Sequence, residues 1–145
     1  MGFQSDFTAG IAQLLATANV AVWNPTGTYA PTDTGIMVEV VPPAPDNVVM
    51  LAHYVVQDDP TLSDSVIGLQ VHTRTGGQDP RTTSDLADAV FDQLHGLHDL
   101  TLSTGVRVVE IVRRSGAFIG QDELQRWSRT DNYYATVYRP GPNRL

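Results

Sequence analysis

The chain has 145 residues, 41% of them hydrophobic and 17% charged, with a formal net charge of -7. This length suits one domain that buries about two thirds of its unfolded surface, the acidic balance argues against a nucleic-acid binder, which needs a cationic field, and no apolar run approaches the ~18 residues of a membrane span. Cysteine is absent, which excludes disulfides and thiolate chemistry, and all nine basic residues are arginine.

Residues 1–6 show neither the basic start nor the apolar centre of a signal peptide. Periodicity predicts a first helix over residues 6–19, with Phe7, Ile11, Leu14, Leu15 and Ala18 on one stripe and Ser5 or Asp6 as its cap. The remaining face is neutral, carrying Thr8, Gln13 and Thr17; it is either an ordinary solvated face or one covered by another subunit. Residues 20–23 read as a short strand closed by the turn residues Asn24, Pro25, Thr26 and Gly27. A second strand is expected over 35–41, with Ile36, Val38 and Val40 on one side, ended by the stiff run Pro42, Pro43, Ala44, Pro45.

Residues 48–56 are apolar on both sides apart from His53, which predicts a central strand covered on each face. Asp58, Asp59 and Pro60 read as turn formers rather than paired catalytic carboxylates. Residues 65–74 alternate, with Ile67, Leu69, Val71 and Thr73 facing a core, and pair antiparallel with the preceding strand. Thr75, Gly76, Gly77, Gln78, Asp79 and Pro80 then release the chain into a loop. A phosphate-cradling role for this loop fails, because the chain contains no lysine and lacks the Gly-x-Gly-x-x-Gly spacing. Thr82 and Asp85 resemble a capping box opening a second helix, whose packing face is Leu86, Val90 and Leu94 widened by Ala87 and Phe91, and Gly96 stands at its C-terminal cap.

On the opposite face Asp85, Asp88 and Asp92 form an acidic stripe. It is either solvated, or meets the arginines of a neighbour, or lines a channel. His95, His98 and Asp99 are the one cluster with the look of site chemistry, but Gly96 ends the helix between the histidines and no second cluster completes a metal set. A strand over 106–114 follows, with Val106, Val108 and Val112 on one face; it turns back at Ser115 and Gly116, or at 120–123. The last strand, 127–138, puts Tyr133, Ala135 and Val137 on one side, and 139–145 is either a frayed tail or a docking arm. The sum is an α+β domain spanning 1–145, one mostly antiparallel sheet with two principal helices.

The run Gly116, Ala117, Phe118, Ile119, Gly120, Gln121, Asp122, Glu123, with Arg126, Trp127, Arg129, Asn132 and Tyr133, resembles tail-terminator or minor-capsid (head-to-tail joining) proteins of long-tailed actinobacterial bacteriophages. So do the strand ending in Thr73, Arg74, Thr75, Gly76, Gly77 and the helix through Asp85, Leu86, Ala87, Asp88, Ala89 and Val90. The resemblance covers most of residues 45–140. It implies a virion protein of the tail or neck, made in the host cytoplasm, with no catalytic residue, no cofactor, no metal and no membrane. It further implies a homohexameric ring that ends the tail tube and joins it to the head connector or stopper, partnered by the tail tube protein, with DNA only passing through the channel.

Residue choices for such an interface come from physics: Arg74, Gly76, Gly77, Arg81, Asp85, Asp88 and Asp92. Residues 74–83 are expected to become ordered on assembly, having too little apolar surface to order alone, with Arg74 and Arg81 meeting a neighbour's carboxylates. The alternatives are another connector or neck protein, and a small hydrolase using His95, His98 and Asp99.

Overall fold

A computed structural model describes residues 2–145 as two helices and six strands: α1 (Phe3–Thr17), β1 (Thr34–Val38), β2 (Asn47–Asp58), β3 (Asp64–Thr75), α2 (Pro80–Leu94), β4 (His98–Thr101), β5 (Arg107–Gln121) and β6 (Trp127–Tyr138). The strands form one sheet in the order β1-β2-β3-β6-β5-β4, parallel between β1 and β2 and antiparallel elsewhere. β3 and β6 follow the alternation expected of them: Ile67, Leu69, Val71, Tyr133, Ala135 and Val137 are buried on the face that carries both helices.

α1 begins earlier than residue 6. Phe3 lies one turn before Phe7 and extends the buried stripe of Phe7, Ile11 and Leu15; the cap is Gly2, with no side-chain bond, rather than Ser5 or Asp6. Thr8 is buried, not part of the outer face, and its hydroxyl donates to the Gln4 and Ser5 carbonyls, which hides its polarity inside the helix. Gly10 lets the loop after β4 come close, since a Cβ there would stand 2.8 Å from the Leu102 Cβ. The strand expected at 20–23 reduces to one bridge between Val22 and Gly35. β1 stops at Val38 because Glu39 adopts a positive φ of 70°.

β2 is central only over its first part. Val48, Val49, Met50 and Leu51 are buried, whereas Val55, beyond the reach of β1, is exposed. The parallel pairing of β1 with β2 obliges the chain to cross back over the sheet. Residues 39–46 make that crossing on the face opposite the helices, where the prolines leave few backbone donors to satisfy.

α2 starts at Pro80, with the Asp79 side chain accepting from the Arg81 N–H at 2.9 Å; proline at the first helical position after an Asp cap outweighs the box at Thr82. Ala87, Val90 and Leu94 are buried, while Leu86 and Phe91 pack at the margin. Gly96 has φ +84°, in keeping with a cap. The chain then forms β4, which the sequence reading passes over as a helix terminus. β5 runs straight through Ser115 and Gly116 to Gln121, so the turn lies after Gly120. A bulge between Val108 and Glu110 reverses the alternation of β5, burying Ile111 with Val108 in place of Val112. The tail folds back: Arg139 and Leu145 N–H groups donate to Ser63 and Thr61 carbonyls, and the Arg144 guanidinium to those of Leu62 and Asp64.

Complete burial of Leu94 against partial burial of Leu86 separates two truncations. Leu94→Ala is expected to cost about 2 to 5 kcal/mol, and Leu86→Ala clearly less, read as shifts in denaturant midpoint at constant slope.

Candidate assembly surface

The residues picked from the sequence do not form one cluster. Arg74 is 4% exposed, and its guanidinium donates to the carbonyls of Pro45 at 2.7 Å and Asp46 at 2.9 Å. Arg74 is therefore committed within the chain instead of reaching for a neighbour's carboxylate. Burial, and then the Arg126 charge, push its pKa below the usual arginine value. Arg126, also buried, is bound by the Asp122 carboxylate at 2.8 Å and by Asp46 at 3.3 Å, and donates to the Pro43 carbonyl. Together the two arginines hold the crossing segment against the sheet. His72 lies beside them with Nε2 3.2 Å from the Ser128 hydroxyl, and burial lowers its pKa, helped by the Arg74 charge.

Of the segment 74–83, Arg74 and Thr75 complete β3 and Pro80 onward belongs to α2, which leaves only residues 76–79 as loop. Buried hydroxyls of Thr75 and Thr83 bond at 2.6 Å and close this β-α corner. The expectation of a long segment awaiting order fails here, because polar pairing supplies the contacts that apolar surface does not. Gly76 donates to Asn47 Oδ1 at 2.9 Å, and Gly77 has φ +93°. Arg81 is exposed and paired with Asp79 at 2.9 Å. Asp85, Asp88 and Asp92 are all exposed along α2.

His95, His98 and Asp99 point to separate tasks. His95 Nδ1 accepts the Arg113 N–H at 3.0 Å and its ring stacks on Phe91 at 4.6 Å. His98 Nδ1 lies 2.9 Å from the Gly96 carbonyl, and Asp99 pairs with Arg107 at 3.6 Å. Among the described residues no group of His, Asp or Glu is placed to hold a metal ion.

The interface residues chosen from the sequence leave out the β5-β6 arm, whose residues carry the family resemblance. At its base the Asp131 carboxylate, buried, receives paired bonds from Arg129, both 2.9 Å, and lies 3.7 Å from Arg113, whose guanidinium covers the Phe91 ring at 4.2 Å. Gly116 is required there, since a Cβ would stand 2.2 Å from Asp131 Oδ1. At the tip Asp122 makes the turn, accepting the Leu124 and Arg126 N–H groups at 2.9 Å; the bond from the Arg126 backbone is the main cause holding its carboxyl below the ordinary range. Phe118, Ile119 and Leu124 remain exposed around this turn, Leu124 at 66%. Trp127 Nε1 donates to the Gln78 carbonyl at 3.3 Å, so arm and β-α loop share one end of the molecule. The signal was available: apolar Phe118 and Ile119 stand between glycines in a stretch with no helix left to cover them.

This end is built for contact rather than chemistry, which defines a structural assembly protein. The bacteriophage tail terminator family model matches residues 14–139, and the chain belongs to that family. It is a non-enzymatic structural protein of the tail end of the virion. No curated protein matches the sequence. Among solved structures, a chain in the virion of a native gene transfer agent particle shares the fold, with a TM-score of 0.66 at 24% identity, over 90% of this chain and 93% of that one.

The depressed pKa of His72 sets a pH dependence. Below about pH 6.5 the unfolded chain takes up a proton that the folded chain refuses, so unfolding free energy falls as pH drops through this window and levels off below the folded-state pKa. His72→Gln is expected to flatten that limb, as measured by urea unfolding at a series of pH values.

Proposed function

We infer that copies of the chain close into a ring on the end of the tail tube, stop its growth and present a second surface to the head connector. The observation that carries this reading is the apolar tip of the β5-β6 arm, where Phe118, Ile119 and Leu124 are exposed beside Gly76, Gly77 and Arg81 at one end of the sheet. Exposed apolar side chains gathered at the tip of an anchored arm favour a protein surface as partner. A homohexamer is the closed form that the family resemblance implies, with the tail tube protein on one side and the connector or stopper on the other. The acidic stripe of α2 supplies a lining past which DNA moves without adhering, since carboxylates repel phosphates.

The mass of the purified chain in solution, alone and with tail tube protein, tests the ring. Rings or capped tubes are expected, together with overlong tails in virions assembled without the chain. A chain that stays monomeric beside the tube, with tails of normal length in its absence, overturns the reading. Replacing Asp85, Asp88 and Asp92 together by Asn is expected to leave the monomer folded, by circular dichroism, and to lower the yield of infectious particles; unchanged yield assigns the stripe to solvent.

A further inference from the structure

The two margins of the sheet are stepped. On one side β4 covers β5 only over Arg107–Glu110, residues 96–97 continue the cover to Ile111, and His95 takes the Arg113 N–H. Among the described residues nothing pairs with residues 115–121 on that side. On the other margin β1 covers β2 only as far as Leu51, and residues 52–58 have no outer strand. Each free edge is seven residues long, and a strand edge of that length is a template for another strand.

We propose that the free edge of β5 in one copy pairs with the free edge of β2 in the next, joining the sheets around the ring. The inference rests on the ring reading. Three features support it. Through the order β2-β3-β6-β5, each step antiparallel, β2 and β5 run in opposite directions, so a neighbour brought alongside in the same orientation offers β2 antiparallel to β5. The two steps are also complementary: the free part of β5 lies at one end of the sheet and the free part of β2 at the other, so β1 of the neighbour and β4 of the first copy pass without collision.

The third feature is side-chain matching. Phe118 pairs with Arg129 across β6 and Val55 with Ile67 across β3, which puts both on the helix-bearing face, and they are 43% and 65% exposed. In the joined sheet they stand side by side and cover one another. The contact is heterologous, since β5 meets β2 and never itself, and a heterologous contact gives a ring when its rotation closes. Within one copy Phe118 is level with Val49 of β2. Setting Phe118 opposite Val55 of the next copy therefore staggers the copies by six residues, about 20 Å at ~3.3 Å per residue, and a staggered sheet closes only with its strands inclined to the ring axis.

The chain has no cysteine, which makes the test direct. Val55→Cys and Phe118→Cys are made singly and together, assembled with tail tube protein and oxidised, with Ala117→Cys and Ile119→Cys beside Val55→Cys to allow for a one-residue shift in register. The expected result is a disulfide ladder up to a closed ring in the double variant, disulfide dimers when the two single variants are mixed, and none from either alone. Phe118→Pro, which removes an N–H that the register turns toward the free edge, is expected to keep the circular dichroism of the folded monomer and to lose rings. Rings that form normally in Phe118→Pro, and that give no disulfide in any double variant, overturn the edge pairing and leave the ring reading standing. A wild-type chain that stays monomeric with the tube protein overturns both.

Discussion

The ladder between β3 and β6 is the constraint on which the rest of the molecule depends. It joins the full length of both strands, Asp64 with Tyr138 through to Thr75 with Trp127, without a shift in register. The neighbouring pairings do not share this regularity: β2 slips against β3 after Val55, and β5 carries three irregularities against β6. Bulges increase local twist and bend the strand that carries them. The sheet is thus straightest at its centre and curls at its margins, and the helices lie where the central face is most apolar.

Polar groups do as much as the core to shape what surrounds this ladder. Arg74 and Arg126 bind the carbonyls of residues 43–46, turning a proline-rich connection into a fixed cover over one end of the helix-free face. Asp131 is held by Arg129 and lies near Arg113, tying the root of the β5-β6 arm to the flank of α2. A buried charge is tolerated only when it is paired and hydrogen-bonded, so these side chains leave the crossing segment and the arm little choice of position. The free surfaces follow from that rigidity. The arm holds Phe118, Ile119 and Leu124 out beyond the helices, and an anchored arm presents them to a partner at less entropic cost than a mobile loop would.

Membership of the tail terminator family turns the unmatched margins of the sheet into an expected property of a part that works in company. The step left by β4 on one side and by β1 on the other is an aggregation liability in an isolated chain. In the ring proposed above the same steps are the joints, and the free stretches of β5 and β2 cover one another.

The amino-acid sequence by itself determined the strand alternation of β3 and β6, the packing face of α2, the antiparallel β2-β3 hairpin and the acidic balance, because each rests on spacing between near neighbours. It also carried the family likeness, in residues of the arm that were legible as a motif before their place in the fold was known. Tertiary structure alone decided that Arg74 is an internal anchor, because its acceptors are carbonyls nearly thirty residues away and their direction depends on the path of the crossing segment. It alone decided the reversal in β5, since a bulge is a relation between two strands and leaves no mark in the periodicity of one. The assembly surface belongs to the same class: an edge is free only by virtue of which strands fail to cover it, and that is settled by the order of the whole sheet.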